Sequence, residues 1–264
     1  MMDAETLLKL IFTSRLRRDL ILALGRGPKI LKELQNELHS TPSSILHALK
    51  ALEIRNIVHQ NESTKEYELT NTGYLIYIQL KNILDSFDVI SKFENFWLTH
   101  DVKPVPEEFL KTIGNLKNSQ LVVASPDELK SPHEVYTDLI RNSKWVRAIS
   151  SVVFREYSDA FLELAFKGAD IEAILPEKTY KKLLNMLGDE EISALKKLSN
   201  MRIYTLEWNP KVSFTVTDYV LSFGLLFPDG RYDMTMDLVS YDPKTRKWAL
   251  DLFHHYKQFA KRVL

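Results

Sequence analysis

The chain has 264 residues, which predicts two domains, since about 150 residues per domain is usual. It contains no cysteine, and this excludes disulfides, thiolate nucleophiles and sulfur-ligated metal sites. The 35 basic and 35 acidic residues balance overall, yet residues 9–60 hold nine basic and four acidic ones. Such a local surplus is typical of a nucleic-acid contact surface, although a solvated surface gives the same count. With no signal-peptide pattern and no apolar run long enough to cross a membrane, we expect a cytoplasmic protein.

The first 70 residues show helical and then extended patterning. Apolar spacing predicts two short helices over 5–25, another over 30–38, and one from Pro42 to about residue 56. Thr41 offers a capping hydroxyl before Pro42, which suits the first helical position. Two extended stretches, 57–60 and 66–69, flank a polar five-residue tip and predict a β-hairpin. This order of elements is that of a winged helix-turn-helix.

The helix from Pro42 has two distinct faces when it is projected at about 100° per residue. One face carries the apolar residues Ile45, Leu49 and Leu52. The opposite face carries hydrogen-bond donors in its first half, as a helix in the major groove requires. We predict that DNA is contacted by Ser43, Ser44, His47 and Lys50, with a minor contact from Lys65 at the hairpin tip. An ordinary solvated face is the alternative.

Residues 38–58 and 67–73 resemble the winged-helix domain of ArsR-type repressors. Those regulators show a Ser/Thr-Val-Ser-x-His-Leu-Lys-x-Leu pattern, which residues 44–52, SILHALKAL, fit loosely. The metal-sensing members of the class use cysteines, and this chain has none. The resemblance therefore implies DNA binding without thiolate-based metal sensing.

A long helix is predicted over 74–93, with an apolar stripe that a lone helix cannot bury. We predict that this helix forms a homodimer, and the alternative is that it packs on its own second domain. Two prolines within 98–106 predict a hinge. The predicted domains are a DNA-binding domain over 1–72, a linking and dimerisation helix over 73–97, and a ligand-sensing domain over 98–264.

Strands and helices alternate in the second half of the chain. Strands are predicted over 121–124, 145–150, 170–175, 202–207, 212–217, 219–227 and 232–240. Helices are predicted over 132–142, 155–167, 176–199 and 243–263. This alternation predicts an α/β domain with a mixed sheet, and an α+β chain overall.

Five segments of the second half resemble the archaeal methanogenesis-regulator family: residues 96–101, 106–110, 214–218, 227–233 and 252–256. In that family an ArsR-type winged helix is fused to a sensory domain. The resemblance implies a sequence-specific transcriptional regulator of genes for methyl-substrate use or methanogenesis. It also implies double-stranded DNA and a small-molecule effector as partners.

The second domain also resembles the phospholipase D fold, whose catalytic strand carries His-x-Lys and then Asp. Asp218 matches the aspartate, but Lys211 and Ser213 stand where the histidine and lysine belong. Without the imidazole nucleophile we expect no such hydrolysis, and we predict no catalytic residue, metal or cofactor. His254 and His255 are adjacent and so make a poor chelate. An enzyme or a protein-binding adaptor built on the second domain remains an alternative.

We predict a small organic ligand at the strand ends of the second domain, where polar groups and an apolar wall meet. Arg155, which opens a helix after a strand, would pair with an anionic group, or would form an ordinary surface salt bridge. The other candidates are Tyr157, Trp208, Asp218 and Arg231. Trp145 is expected to fill the core instead.

Overall fold

The computed structural model describes residues 3–123, 136–138 and 140–264. Contacts divide the chain into two compact units, Met1–Leu84 and Asp85–Leu264. Within the described ranges, no helix combines the length and the apolar character needed to span a membrane.

The first unit has the element order predicted from the sequence. Its elements are α1 (Ala4–Phe12), α2 (Arg15–Leu24), α3 (Leu31–Leu38), α4 (Pro42–Glu53), β1 (Val58–Gln60) and β2 (Tyr67–Leu69). Strands β1 and β2 pair in an antiparallel hairpin, and an isolated bridge joins Lys29 to Tyr67. The core holds apolar residues from α2, α3 and α4, among them Leu20, Leu34, Ile45 and Leu49. Helix, helix, turn, helix and hairpin follow one another as in a winged helix-turn-helix.

Helix α5 (Asn71–Lys92) begins three residues before the predicted start. The hydroxyl of Thr70 accepts a hydrogen bond from Gly73 N at 3.0 Å, which satisfies an amide of the first turn. A Cβ atom at Gly73 would collide with the carbonyl oxygen of Ile57, so glycine lets the helix begin against the hairpin. The division between the two units falls within α5, between Leu84 and Asp85.

The segment predicted as a hinge, residues 98–106, is anchored in the second unit. It comprises the last two residues of α6 (Glu94–Thr99) and the connection to α7 (Glu107–Leu110). Val105 belongs to the core, and the Tyr256 hydroxyl donates to Pro104 O at 2.6 Å. Asp101 N donates to Leu226 O at 2.9 Å. The prediction of a hinge is therefore corrected, because core packing and hydrogen bonds hold the segment that its prolines interrupt.

The second unit is an α/β unit with a mixed sheet, as the sequence predicts. After a short 3₁₀ helix (Ile113–Leu116), its strands are β3 (Gln120–Val123), β4 (Trp145–Ile149), β5 (Asp170–Pro176), β6 (Met201–Leu206), β7 (Val212–Thr217), β8 (Leu221–Leu225), β9 (Met236–Ser240) and β10 (Lys261–Arg262). Its later helices are α8 (Arg155–Phe166), α9 (Glu177–Met186), α10 (Asp189–Lys197) and α11 (Pro243–Lys257). The strand order is β10-β6-β5-β4-β7-β8-β9-β3. Strand β5 pairs in parallel with β4 and with β6. The other strand pairs described in this sheet are antiparallel.

Each face of this sheet is covered by its own hydrophobic cluster. On one face α11 contributes Trp248, Leu252 and Phe253, which cluster with Phe214 and Phe223 of the central strands. On the other face α8, α9 and α10 contribute Leu162, Leu183 and Leu195, which cluster with Ala148 and Ile171. The unit is thus a sheet between two helical layers, the arrangement expected where strands are buried on both sides.

The last predicted helix is too long. Helix α11 ends at Lys257 and not at residue 263, because the following residues form β10, which pairs antiparallel with β6. Backbone hydrogen bonds at an open sheet edge thus replace the last helical turns. Of the helix predicted over 132–142, residues 132–135 and 139 lie outside the described residues, while 136–138 and 140 are helical.

Candidate nucleic-acid interface and ligand cavity

Helix α4 presents the face that the sequence predicts. Ile45, Leu49 and Leu52 are buried against the first unit. Ser43, Ser44, His47 and Lys50 are exposed on the other side. Thr41 caps the helix by accepting a hydrogen bond from Ser44 N at 3.3 Å, and Lys50 lies 3.8 Å from the Glu53 carboxylate. The buried residues hold the helix in place while the four polar side chains stay free to reach a duplex.

A shallow groove lies where the first turns of α2 and α4 meet. Its walls include Ser14 and Arg17 from α2 together with Ser43, Ser44 and His47 from α4. Arg17 donates to Thr13 Oγ1 at 3.1 Å, but its Nε is buried and has no hydrogen-bond partner among the described residues. Two helix N-termini and the Arg17 guanidinium therefore lie together at this groove, a combination suited to a phosphate. Arg17 was counted in the basic surplus of the sequence but was not predicted to contact DNA.

The hairpin tip offers little positive charge. Lys65 is exposed in a left-handed backbone conformation, with φ of 61°, and its amide donates to Asn61 O at 2.8 Å. Glu62 lies on the same tip. His59 on β1 lies 2.8 Å from the Glu68 carboxylate on β2. Lys65 is thus placed for a minor contact at most.

The second unit encloses a cavity on the side of the sheet covered by α8, α9 and α10. Its volume is about 90 Å³, enough for roughly six to nine waters at 10–15 Å³ each. Leu162, Leu183 and Leu195 form part of its apolar wall. Its polar residues come from the central strands and from nearby rings: Tyr136, Ser150, Tyr157, Ser158, Ser213, Thr215, Ser222, Tyr232 and Asp237. Among the described residues, no lysine, arginine or histidine lines it.

Asp237 on β9 is the acidic group of this cavity. Its Oδ2 accepts a hydrogen bond from Ser222 Oγ at 2.8 Å. Gly224 lies beside it, and a Cβ atom there would approach Asp237 Oδ1 to 2.5 Å. Burial raises the pKa of the Asp237 carboxyl to about 7, and the nearby Asp233 charge adds to the increase. The side chain is enclosed by protein yet keeps part of its surface accessible, because it faces the cavity.

Three tyrosines surround this carboxyl group. The ring centroids of Tyr136 and Tyr157 are 4.4 Å apart. The ring of Phe154 packs against those of Tyr157 and Tyr232, with centroid distances of 5.3 Å and 6.3 Å. The Tyr136 hydroxyl lies 2.6 Å from Thr215 Oγ1. Burial is the main cause that raises the pKa of all three hydroxyls, and the negative charge of Asp237 raises them further. The tyrosines are therefore neutral aromatic walls around one acid.

The structure does not bring the five predicted ligand residues together. Of these, Tyr157 lines the cavity, while Arg155 forms surface ion pairs with Asp159, at 2.9 Å, and with Glu191. Trp208 is 47% exposed and packs on Phe259 with ring centroids 6.0 Å apart.

The remaining two also have other contacts. Asp218 accepts a hydrogen bond from Lys144 N at 2.9 Å, and the exposed Arg231 pairs with Asp229 at 2.7 Å. None of Arg155, Trp208, Asp218 and Arg231 is among the residues that line the cavity. A ligand role for these four stays a prediction.

The residues that form the polar wall were missed in the sequence, although a signal was present. Strand β7 reads VSFTVT and β8 reads LSFGL, so small polar residues alternate with large apolar ones. Ser213 pairs with Gly224 and Thr215 with Ser222 across the two strands, on the cavity side. Phe214 and Phe223 pair on the other side and fill the core. A strand buried on both faces that keeps polar residues on one face indicates a lined cavity there.

The three residues that were matched to the phospholipase D motif have different surroundings in the structure. Ser213 lines the cavity, whereas Asp218 binds the backbone of Lys144 and Lys211 lies before β7 with φ of 52°. His255 pairs with Glu108 at 2.9 Å. Across the described ranges, no group of three or more His, Cys, Asp or Glu residues could hold a metal ion.

Comparison with known proteins links both units to one family. The model of the FilR1 methanogenesis regulatory protein N-terminal domain matches residues 5–88, and that of its middle domain matches residues 129–258. The methanogenesis regulatory protein FilR1 of Methanothrix harundinacea (strain 6Ac) is 25% identical over 264 residues, or 99% of this chain. The chain spans 59% of the length of that relative.

Two solved structures are similar at low scores. TrmBL2, described as an archaeal chromatin protein with a novel mode of DNA binding, has a TM-score of 0.43 and 14% identity, covering 97% of each chain. Nuc of Salmonella typhimurium, a phospholipase D family member, has a TM-score of 0.40 and 13% identity, covering 55% of this chain and 96% of its own. At such scores neither structure adds to an inference of function. The chain is thus similar to FilR1 methanogenesis regulatory proteins in two regions, residues 5–88 and 129–258.

Proposed function

We propose that this chain is a DNA-binding transcriptional regulator, and that its second unit binds a small molecule which controls that activity. The observation that carries the proposal is the exposed face of α4, where Ser43, Ser44, His47 and Lys50 lie opposite buried anchors. Side chains of this kind donate to base edges and phosphates when a helix enters the major groove. The relative named a methanogenesis regulatory protein supports the same role.

Phosphate contacts would come from the groove beside α4. Arg17 lines this groove, and the N-termini of α2 and α4 add partial positive charge. These contacts would fix the position of the helix on the duplex without reading its sequence. Ser43, Ser44, His47 and Lys50 would then supply the readout.

The regulated genes and the assembly are proposed on separate grounds. Control of methanogenesis or methyl-substrate genes follows the name of the relative, and the ArsR class of the DNA-binding unit stays a prediction. Helix α5 exposes Tyr74, Leu75 and Ile78, which we propose form a homodimer with a second copy. Two copies would present two α4 helices to half-sites about one helical turn apart.

The experiment is selection of duplexes from a random-sequence pool by the purified full chain, followed by affinity measurement on the enriched duplex at fixed salt. We expect His47→Ala combined with Lys50→Ala to weaken binding at least tenfold, since each base or phosphate contact is worth about 1–3 kcal/mol. Glu163→Gln, an exposed substitution on α8, is the control and should leave affinity unchanged. No enriched duplex, or a double variant within twofold of the original chain, would refute the proposal.

Arg17→Gln separates positioning from readout. We expect it to weaken binding to selected and unselected duplexes by the same factor and to make the salt dependence shallower, because a phosphate contact is lost. A loss confined to the selected duplex would contradict this assignment.

A further inference from the structure

The ligand cavity of the second unit has an unusual set of walls. Aromatic rings and one carboxyl group meet there, while none of the described lining residues carries positive charge. An anionic ligand would face Asp237 without a cation to compensate it. The chemistry of the walls therefore disfavours carboxylates and phosphates, and it favours a molecule that brings its own positive charge.

The aromatic walls suit such a charge. Tyrosine rings carry negative potential on their faces and attract ammonium groups, most strongly in sites shielded from water. Tyr136, Tyr157 and Tyr232 line the same cavity as Asp237, and the ring centroids of Tyr136 and Tyr157 are 4.4 Å apart. They are thus grouped around the point where a cation would pair with the acid.

The bonding of Asp237 leaves room for a partner. A carboxylate can accept about four hydrogen bonds, and Asp237 accepts one from Ser222. Because Gly224 has no side chain, Asp237 Oδ1 can lie close to its backbone, where a Cβ atom would be only 2.5 Å away. The cavity volume corresponds to roughly six to nine non-hydrogen atoms, if each takes the space of one water.

We propose that this cavity binds a small organic cation, an amine or methylated ammonium, between the rings of Tyr136, Tyr157 and Tyr232 with its charge beside Asp237. The inference rests on the proposed function, in which the second unit binds a small molecule, and it specifies the chemical class of that molecule.

The test is calorimetric titration of the full chain with choline and with tetramethylammonium. The neutral isostere of choline, 3,3-dimethylbutan-1-ol, has the same shape without the charge and serves as the matched control, and acetate tests for an anion site. We expect both cations to bind, and the isostere to bind at least tenfold more weakly. Equal binding of the isostere, preferential binding of acetate, or no binding of either cation at millimolar concentration would overturn the proposal.

Variants locate the site. Asp237→Asn should weaken choline binding at least tenfold, and Tyr232→Leu should do so by removing a ring, whereas Tyr232→Phe keeps the ring and most of the affinity. Asp251→Asn is the control, because Asp251 is exposed and pairs with Lys247 on α11. Binding that survives both Asp237→Asn and Tyr232→Leu would show that the cation lies elsewhere and would refute the assignment.

The pH dependence of choline binding can be measured on the unmodified chain. Asp237 must be ionised to pair with the cation, so affinity should fall about 30-fold between pH 8 and pH 5.5, for a carboxyl that titrates near pH 7. The other described titratable groups facing it are the three tyrosines, whose pKa values are raised, and Asp233, which is paired with His100. In Asp237→Asn this pH dependence should disappear, and its persistence would contradict the role of Asp237.

The two proposals fail in different ways. DNA affinity measured without any added ligand tests the regulator alone. A chain that binds its selected duplex but neither cation would refute only the cation site. A chain that binds cations but enriches no duplex would refute only the DNA-binding role.

Discussion

Asp237 is a buried carboxyl group, and its burial makes the ionised form less favourable than it is in water. Its pKa of about 7 in the folded chain exceeds the ordinary value of 3.8 because burial disfavours the ionised form. The folded state therefore holds this proton more tightly than the unfolded chain. The resulting stability is fully present below pH ~4 and is lost as the pH rises to about 7.

Asp237→Asn should remove this pH-dependent loss. We expect the free energy of unfolding of the variant, relative to the original chain, to increase between about pH 5 and pH 8 by on the order of 2 kcal/mol. Urea unfolding at both pH values measures it, and the comparison cancels the carboxylates with lowered pKa values, such as Asp170 and Glu172. The same difference at both pH values would show that Asp237 titrates normally.

His100 and Asp233 form a second buried polar pair. His100 Nδ1 lies 2.8 Å from Phe96 O and Nε2 lies 3.0 Å from Asp233 Oδ2, both within hydrogen-bonding distance, and the ring stacks on Phe227 with centroids 5.2 Å apart. His100→Ala would remove one hydrogen-bond partner of the buried Asp233 side chain, so we expect a loss of about 2 kcal/mol in unfolding free energy. His254→Ala, on an exposed surface, should change it by less than about 0.5 kcal/mol. Similar values for the two variants in urea unfolding would contradict the structural role of the pair.

Individual ligand residues were harder to predict than the elements that carry them. Arg155 opens α8 as expected, but its guanidinium is engaged by Glu191, which is 36 positions later in the chain. Sequence spacing cannot show that a partner from another helix satisfies such a charge. Tyr157, two residues later in the first turn of the same helix, does line the cavity.

The hairpin and α4 differ in what they offer to DNA. Lys65 shares the hairpin tip with Glu62, whereas α4 presents a polar face without acid in its first turn. We expect Lys65→Ala to change affinity for the selected duplex by less than twofold, measured at the same salt as the α4 variants. A larger loss would indicate that the hairpin tip enters a groove.

Helices and strands of the first unit were predicted well because each has both a period and an end signal. Thr41 and Pro42 mark the start of α4, and the apolar spacing that follows fixes its buried face. End signals were weaker in the second unit. Helix α11 was extended past Lys257 because the pairing of β10 with β6 depends on residues about 60 positions apart, which periodicity does not report.

At the scale of the whole molecule, α5 raises the question of assembly. Its exposed apolar residues fall in two groups, Tyr74, Leu75 and Ile78 in the first unit and Phe87 and Ile90 in the second. Leu75 is 69% exposed and Phe87 is 60% exposed. Clustered apolar side chains at this exposure are typical of a surface that binds another protein.

We expect the full chain to sediment as a dimer at micromolar concentration. Leu75→Glu combined with Ile78→Glu should convert it to a species with the mass of one chain, because like charges would be buried at the interface. Phe166→Glu, at an exposed apolar position on α8, is the matched control and should leave the dimer intact. A monomer at micromolar concentration, with or without the selected duplex, would refute the dimer.

One added methyl group at Gly224 would separate the two proposed activities, DNA binding and cation binding. Alanine there would place its Cβ 2.5 Å from Asp237 Oδ1, so the carboxyl group would have to shift from the position in which we propose that it pairs with a cation. The parts proposed to contact DNA, α2, α4 and the hairpin tip, lie in the other unit and contain none of the affected atoms. A G224A chain would then bind its operator without responding to its signal. In cells, transcription of its target genes would no longer change with the signal.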